Sequence, residues 1–283
     1  MSPCIGLIVT GEDTLKELAF FLHTLEIWHP DARIFIYTDS STEPRIQKIS
    51  FSGQIQCKVA LDAYSGKNRR VMELLPGKLY NSLWKDYMYE KANVIDWMFS
   101  SQCEENGVWF MDADITFLAV LPSIPPHAEL ALSPHYIKER DTSRFGFYNA
   151  GFIWMKNPSY LSAWRKAGET SRFFEQSALE TIADIAKEKQ TLHEFPMQVN
   201  FGWWRMFQSS WSPQTIQSKF AIFRNSNSIG VQFDGYSLQS IHTHWDNKGE
   251  HALQEFNLWV RTFLLKFQKH RPIYKFLSII SPR

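Results

Sequence analysis

In the run Val108 to Leu121, VWFMDADITFLAVL, two carboxylates stand two residues apart: Asp112 and Asp114, with Ala113 between them. The four apolar residues before them read as a buried strand, and on extended backbone side chains two apart share a face. The pair should therefore sit together at a strand end, where like charges raise each other's pKa unless a cation joins them. Oxygen ligands on a divalent ion suit Mg²⁺, Mn²⁺ or Ca²⁺. The competing reading is a solvated strand-end turn, where Asp is common for its own reasons.

Other residues carry potential chemistry of the same kind. The late segment SLQSIHTHW sets His242 and His244 on one face of a strand, beside Trp245, Asp246 and Lys248. A single histidine is more often a satisfied core residue, but two on one face point to a site. Lys91 falls on the apolar stripe of a helix with Trp84, Tyr87, Ile95 and Met98. A lysine facing a core needs an anionic partner or must reach out to water. That partner is either a bound phosphate or a structural carboxylate such as one of the two aspartates. Asn149, Ala150 and Gly151 open the apolar run Phe152 to Met155, and small residues at a strand mouth let a ligand approach the backbone closely. FFEQSALETI offers Glu175 and Gln176, and EFPMQVNFGWWRMF sets Gln198 and Asn200 near Trp203 and Trp204. Paired tryptophans beside amides suit sugar stacking as well as an ordinary core.

The elements that must position these groups begin with a strand at Ile5 to Val9. Thr14 and Glu17 have capping-box spacing, and Leu15, Leu18, Leu22 and Leu25 follow at helical intervals until Pro30. Arg33 to Thr38 reads as a second strand, so the opening is β-α-β and argues a parallel sheet with a helix packed on it. Ligands of such sheets gather at the carboxyl ends of strands, which selects Thr10, Gly11, Asp39 and Ser40. Neither G-x-G-x-x-G nor G-x-x-x-x-G-K-[ST] occurs. Gln54 to Leu61 reads as a third strand, followed by a basic loop with Lys67, Arg69 and Arg70. A helix is expected from about Asn81 to Ser100, feeding the D-x-D strand, and a strand over Glu129 to Ser133. The charged stretch His135 to Phe147 lacks apolar periodicity and is expected to be a mobile loop or lid. Helix is expected from Ser159 to about Lys189 with a break near Gly168, then short strands at Lys219 to Arg224, Gly230 to Phe233 and Ser237 to His242. This divides the chain into one α/β domain over residues 1–250 and a basic, aromatic, amphipathic tail over 251–283. The tail either packs on the domain or lies on a membrane surface.

Composition narrows the class. Of 283 residues 44% are apolar, which suits a globular chain, and a net charge of +1 gives no sign of bulk binding to nucleic acid. Cys4, Cys57 and Cys103 lie far apart, form no C-x-x-C and leave one over. Neither a disulfide framework nor a zinc site is indicated, and a reducing compartment is expected. The N-terminus lacks a basic leader and no apolar run is long enough to span a bilayer. The expected location is cytoplasmic, with peripheral contact on the inner face of a membrane as the alternative.

Taken in order, the β-α-β start, the helix carrying Lys91, FMDADITFL, YNAGFIWMKN, FEQSALE and IHTHWDNK resemble the GT-A nucleotide-sugar glycosyltransferases. They are most similar to the branch that includes the galactosyltransferase and glycogenin type, and the resemblance spans most of the chain. It implies a GT-A-like, Rossmann-like α/β fold with a mixed, mainly parallel central sheet flanked by helices. It implies a hexosyltransferase-like enzyme that moves a sugar from a nucleotide-diphosphate sugar, with UDP-sugar the expected donor, to the hydroxyl of a glycan or lipid-linked acceptor. On this resemblance Asp112 and Asp114 bind Mn²⁺, or Mg²⁺, together with the donor diphosphate, and a late histidine completes the metal shell. His242 to Lys248 has the spacing of the family's H-x-x-G-x-x-K, with Trp245 in place of the glycine, so His244 competes with His242 for the metal. Lys91 and Lys248 are the candidate phosphate contacts, and Asn149 and Gly151 match the family's Asn-x-Gly segment near the donor sugar. Thr10, Asp39 and Ala113 complete the expected donor-binding set. Glu175 and Gln176 match the family's Asp-Gln pair and are the catalytic candidates, Glu175 serving as a base only if configuration inverts. Two other classes remain in play: a non-catalytic nucleotide-sugar-binding protein of the same fold, and a metal-dependent phosphoesterase, which would need a richer Asp/His cluster for two metals.

Overall fold

The computed structural model describes residues 2–265 apart from 102, 104, 105, 225–228, 247 and 248. Cys4–Val9 (β1), Gly11–Trp28 (α1) and Arg33–Thr38 (β2) form the expected β-α-β unit, with β1 and β2 parallel from Cys4 opposite Arg33 to Val9 opposite Thr38. There follow Glu43–Ile46 (α2), Gln54–Val59 (β3), Arg69–Leu74 (α3), Leu83–Ser100 (α4), Val108–Met111 (β4), Ile115–Phe117 (β5) and Leu130–Pro134 (β6). Next come Glu139–Phe145 (α5), Tyr148–Met155 (β7), Ser159–Gly168 (α6), Leu179–Glu188 (α7), Leu192–Glu194 (β8), Phe201–Gly202 (β9), Arg205–Gln208 (α8) and Pro213–Ser218 (α9). Phe220–Arg224 (β10), Ile229–Phe233 (β11), Tyr236–Ser237 (β12), Ser240–His242 (β13) and His251–Leu265 (α10) complete the described elements.

The central sheet has seven strands in the order β3-β2-β1-β4-β7-β6-β8. Within it β7 alone runs against its neighbours, so the sheet is mixed and mainly parallel, as the GT-A resemblance implies. Side chains alternate between its faces. Phe35, Phe110 and Ile153 join Ile95, Met98, Trp164 and Ile182 of α4, α6 and α7 on one side. Ile34, Trp109 and Phe152 join Leu18, Phe21, Leu22 and Leu25 of α1 on the other. Helices thus cover both faces, which is why the strands read as continuous apolar runs rather than alternating ones. A third cluster holds Phe201, Phe233 and Ile241 against Phe256, Val260 and Leu264 of α10. The first part of the tail therefore packs on the domain, while residues 266–283 lie outside the described ones. No helix among the described residues is long and apolar enough to cross a membrane.

Several expectations need correction. Helix α1 starts at Gly11, one turn before Thr14, and the Thr14 hydroxyl donates back to the Thr10 carbonyl instead of forming a capping box. Glu17 is thereby freed to turn toward His244. Asn149 to Gly151 lie within β7 rather than before it, and residues 169–178 form the turn between α6 and α7 instead of helix. The stretch 135–147, expected as a mobile loop or lid, contains the short helix α5. It is held by Arg172, whose guanidinium donates to the Ser143 and Thr142 carbonyls, and by His135, which is buried. The reading that the cysteines stay unpaired also fails. Cys4 and Cys103 form a disulfide with a Cα–Cα separation of 6.1 Å. Their separation of 99 residues conceals the pairing, because only the placing of β4 beside β1 brings them together.

Candidate functional site

The carboxyl ends of β1, β2 and β4 open on one edge of the sheet. Because β7 runs the other way, its first residues arrive at that edge, and the Asp112 amide donates to the Gly151 carbonyl at 2.9 Å. Asp112 to Asp114 form the turn between β4 and β5. Antiparallel pairing of β5 with β13 sets His242 opposite Ile115, and the Thr243 amide donates to the Asp114 carbonyl at 3.0 Å. Two backbone ladders thus deliver the D-x-D residues and His242 to one point, on the floor of a cavity of about 510 Å³.

One ligand atom from each of Asp112, Asp114 and His242 lies within 4.8 Å of the others. The His242 Nε2 is 3.0 Å from an Asp114 oxygen and 4.0 Å from an Asp112 oxygen. A buried amide relay fixes which histidine nitrogen faces them. His135 Nδ1 bonds the Gly146 carbonyl and must donate, so its Nε2 accepts from the Asn149 amide nitrogen at 3.5 Å. Burial holds His135 neutral, pushing its pKa down to about 3. The Asn149 oxygen then accepts from the Gly151 amide and from the Asn200 side-chain nitrogen at 3.1 Å each. That leaves the Asn200 oxygen as acceptor for His242 Nδ1 at 3.2 Å. With Nδ1 committed to Asn200, Nε2 is the nitrogen that faces the two carboxylates and the one placed to bind a cation between them. Two carboxylates and an imidazole nitrogen converging on one point fit a divalent ion.

Gly151 leaves room for that arrangement. A Cβ there would stand 2.3 Å from an Asp112 carboxylate oxygen and 2.7 Å from the His242 ring. Gly151→Ala is expected to displace one ligand or the other and weaken Mn²⁺ binding by about tenfold or more with the circular-dichroism spectrum unchanged. Wild-type affinity in a calorimetric titration would rule the crowding argument out.

Behind the metal group lies Lys91, only 5% exposed. Its ammonium is 3.1 Å from Asp112, 2.9 Å from Glu175 and 3.3 Å from the Ala150 carbonyl. Burial opposes its charge, but the two carboxylates outweigh burial and raise its pKa above the ordinary lysine value. Beside the site, the second Asp114 oxygen is 3.4 Å from His244, which also bonds Glu17. The Asp114 carboxylate, against burial and assisted by Glu17, raises the His244 pKa to about 10. Asp114 itself is held below the usual carboxylate range, since His242 and His244 outweigh the effect of burial.

Of the residues singled out in the sequence, Lys91, Asp112, Ala113, Asp114, Glu175, Gln176, His242 and His244 line the cavity, as do Trp203 and Trp204. Asn149 stands behind it in the relay. Thr10 is set back, its hydroxyl 3.2 Å from that of Tyr87, which does line it. Asp39 departs from its expected role: it is fully buried, and its carboxylate accepts from the backbone and hydroxyls of Ser41 and Thr42 at the start of α2. The strand-end rule marks an edge of the sheet, and local chain reversals decide which residues turn inward from it. Lys248 lies outside the described residues. Sequence reasoning missed Glu17 and Arg69 as lining residues and Asn200 as the partner of His242. The acid on the core-facing side of α1 was a usable signal for Glu17, whereas nothing local marks the pairing of Asn200.

No protein-family model and no curated protein matches the sequence. Among solved structures, the chain is similar to mouse xyloside xylosyltransferase 1 in its apo form. The identity is 9% and the TM-score 0.46, covering 72% of this chain and 90% of that one. It is also similar to the glycosyltransferase GlyE of Streptococcus pneumoniae TIGR4, at 13% identity and a TM-score of 0.41, covering 73% of this chain and 49% of that one.

Proposed function

We propose that the chain is a metal-dependent glycosyltransferase that moves a hexose from a nucleotide-diphosphate sugar, most simply a UDP-sugar, to the hydroxyl of a glycan or lipid-linked acceptor. The observation that carries this reading is the convergence of Asp112, Asp114 and His242 on one cavity floor with Lys91 buried behind them. The four carboxylates Glu17, Asp112, Asp114 and Glu175 outnumber the two cations they bond, Lys91 and His244, so the floor holds about two unmatched negative charges. A diphosphate would be repelled from such a floor. When bound, a divalent ion would cancel that excess and stabilise the charge growing on the departing diphosphate. Mg²⁺ and Ca²⁺ prefer all-oxygen shells, so the imidazole favours a transition ion such as Mn²⁺ over either of them.

The chain's own residues do the rest. The relay from His135 to Asn200 holds His242 with its Nε2 toward the two carboxylates. Lys91 holds Asp112 in place and keeps Glu175 out of the reaction as half of an ion pair. Trp84, Phe174 and Trp203 offer ring faces and edges for sugars along the cavity wall. With Glu175 and Glu17 both paired, the cavity's described carboxylates include none free to act as base for the acceptor, which favours retention of configuration.

The test is a panel of nucleotide sugars incubated with Mn²⁺ and no acceptor, where slow hydrolysis should release nucleoside diphosphate from at least one donor. The anomer of the released sugar, read by NMR, should match that of the donor. Tight metal-dependent binding without cleavage would assign the chain to the non-catalytic class. Release of monophosphate and inorganic phosphate would assign it to the phosphoesterases.

A further inference from the structure

We infer that residues 67–79 form a docking face for an anionic lipid bilayer at the rim of the cavity. Helix α3 buries only Met72 toward the core, leaving Val71 and Leu74 exposed at 43% and 82%. The loop after it exposes Leu75 and Leu79, the latter at 77%. Large apolar side chains this open cost free energy in water and mark contact surfaces when grouped.

The loop is built rather than loose. Its base is closed by the Leu83 amide donating to the Leu75 carbonyl at 2.9 Å. The buried carboxylate of Asp86 accepts from the amides of Lys78, Leu79 and Tyr80. Gly77 is required at the bend, since a Cβ there would stand 2.4 Å from the Tyr80 carbonyl oxygen. Tyr80 turns inward, stacked on Tyr89 with centroids 4.3 Å apart and its hydroxyl donating to the Arg165 carbonyl. Between these anchors Leu79 is fixed pointing out. A buried carboxylate committed to holding a leucine in water makes physical sense when water is not what the leucine finally meets.

The surrounding charge says what it meets. Lys67, Arg69, Arg70 and Lys78 flank the leucines, all exposed, and the only acid in the stretch, Glu73, is bridged to Arg69. A few exposed leucines offer too little area for a stable protein interface, which needs roughly 800 Å² from each partner. Shallow insertion of two leucines with cations at headgroup level suffices for reversible binding to an anionic bilayer. Arg69 lines the cavity and lies 5.3 Å over the rings of Trp84 and Phe174, so docking brings the cavity mouth to the headgroups. The docking itself does not depend on the reaction proposed above.

The test is co-sedimentation of the full chain with phosphatidylcholine vesicles with and without phosphatidylglycerol. Binding should require the anionic lipid and weaken as salt rises. Leu74→Ser with Leu79→Ser should lower the vesicle partition by about tenfold or more. Arg70→Gln with Lys78→Gln should lower it by about thirtyfold at low salt. All four positions are exposed, so thermal unfolding should match wild type and separate lost docking from lost folding. Equal binding to neutral vesicles, or binding of both double variants like wild type, would overturn the proposal. Binding to polyglutamate with none to vesicles would also overturn it, assigning the face to an acidic protein.

Discussion

Asp114→Asn should abolish the metal dependence of nucleotide binding. In wild type, UDP or another nucleoside diphosphate should bind much more tightly with Mn²⁺ than with chelator, because the cavity floor is otherwise negative. Loss of residues that only support a metal ligand costs about 10- to 100-fold in metal affinity, so loss of a ligand should cost at least about 100-fold. Asp114 is singled out because its carboxylate serves His242 with one oxygen and His244 with the other. The substitution keeps the side chain's size and one acceptor, so folding should survive with a loss of about 1–3 kcal/mol. Calorimetry with and without Mn²⁺ reads the effect, and a variant that still gains affinity from the metal would remove Asp114 from the ligand set. His244→Gln, by contrast, should spare most of the effect, since His244 already bonds Glu17. Should it prove the more damaging change, the ligand assignment passes to His244.

Lys91→Met should be the most destabilising single change near the site, lowering unfolding free energy by about 3–5 kcal/mol. It leaves Glu175 buried without a counter-charge and facing Asp112. Burial already raises the Glu175 pKa despite the lysine, and removing the lysine extends the shift. A carboxyl with a raised folded-state pKa adds stability below its unfolded value and loses it as pH rises through the folded one. The variant's deficit should therefore be smaller at pH 5 than at pH 8, as denaturant melts at the two values would show. Adding Glu175→Gln should restore much of the loss, because the pair is coupled. A deficit independent of pH, or strictly additive with Glu175→Gln, would mean that the lysine acts by packing.

The groups most legible in the sequence were those fixed by local pattern. Strands β1, β2 and β4 announce themselves as apolar runs, and the two-residue period of a strand end puts Asp112 and Asp114 side by side. Lys91 was legible as a lysine on an apolar stripe, although its second partner, Glu175, comes from a turn 84 positions later that read as helix. Glu17 was hidden by a spacing that matched a capping box, an ambiguity resolved only when Gly11 started the helix a turn early. Asn200 read as one of several amides beside tryptophans. Its role depends on three strands from distant parts of the chain, β6, β7 and β13, arriving at one end of the site. Arg205, buried at 1% exposure and donating to the carbonyls of Pro134, His135 and Met197, carried no signal, since a fully buried arginine without a carboxylate partner runs against expectation.

The bond between Cys4 and Cys103 has a topological side. It closes a covalent ring that runs from β1 through α4, including α3 with its exposed Leu74 and the loop after it that carries Leu79. Any protease cut between the two cysteines falls within that ring. A cut there opens the ring without dividing the molecule: the two ends remain tethered through the sulfurs, and the strand that begins the sheet cannot diffuse from the strand that carries the aspartates. The nicked protein should run as one band until thiol is added and as two thereafter.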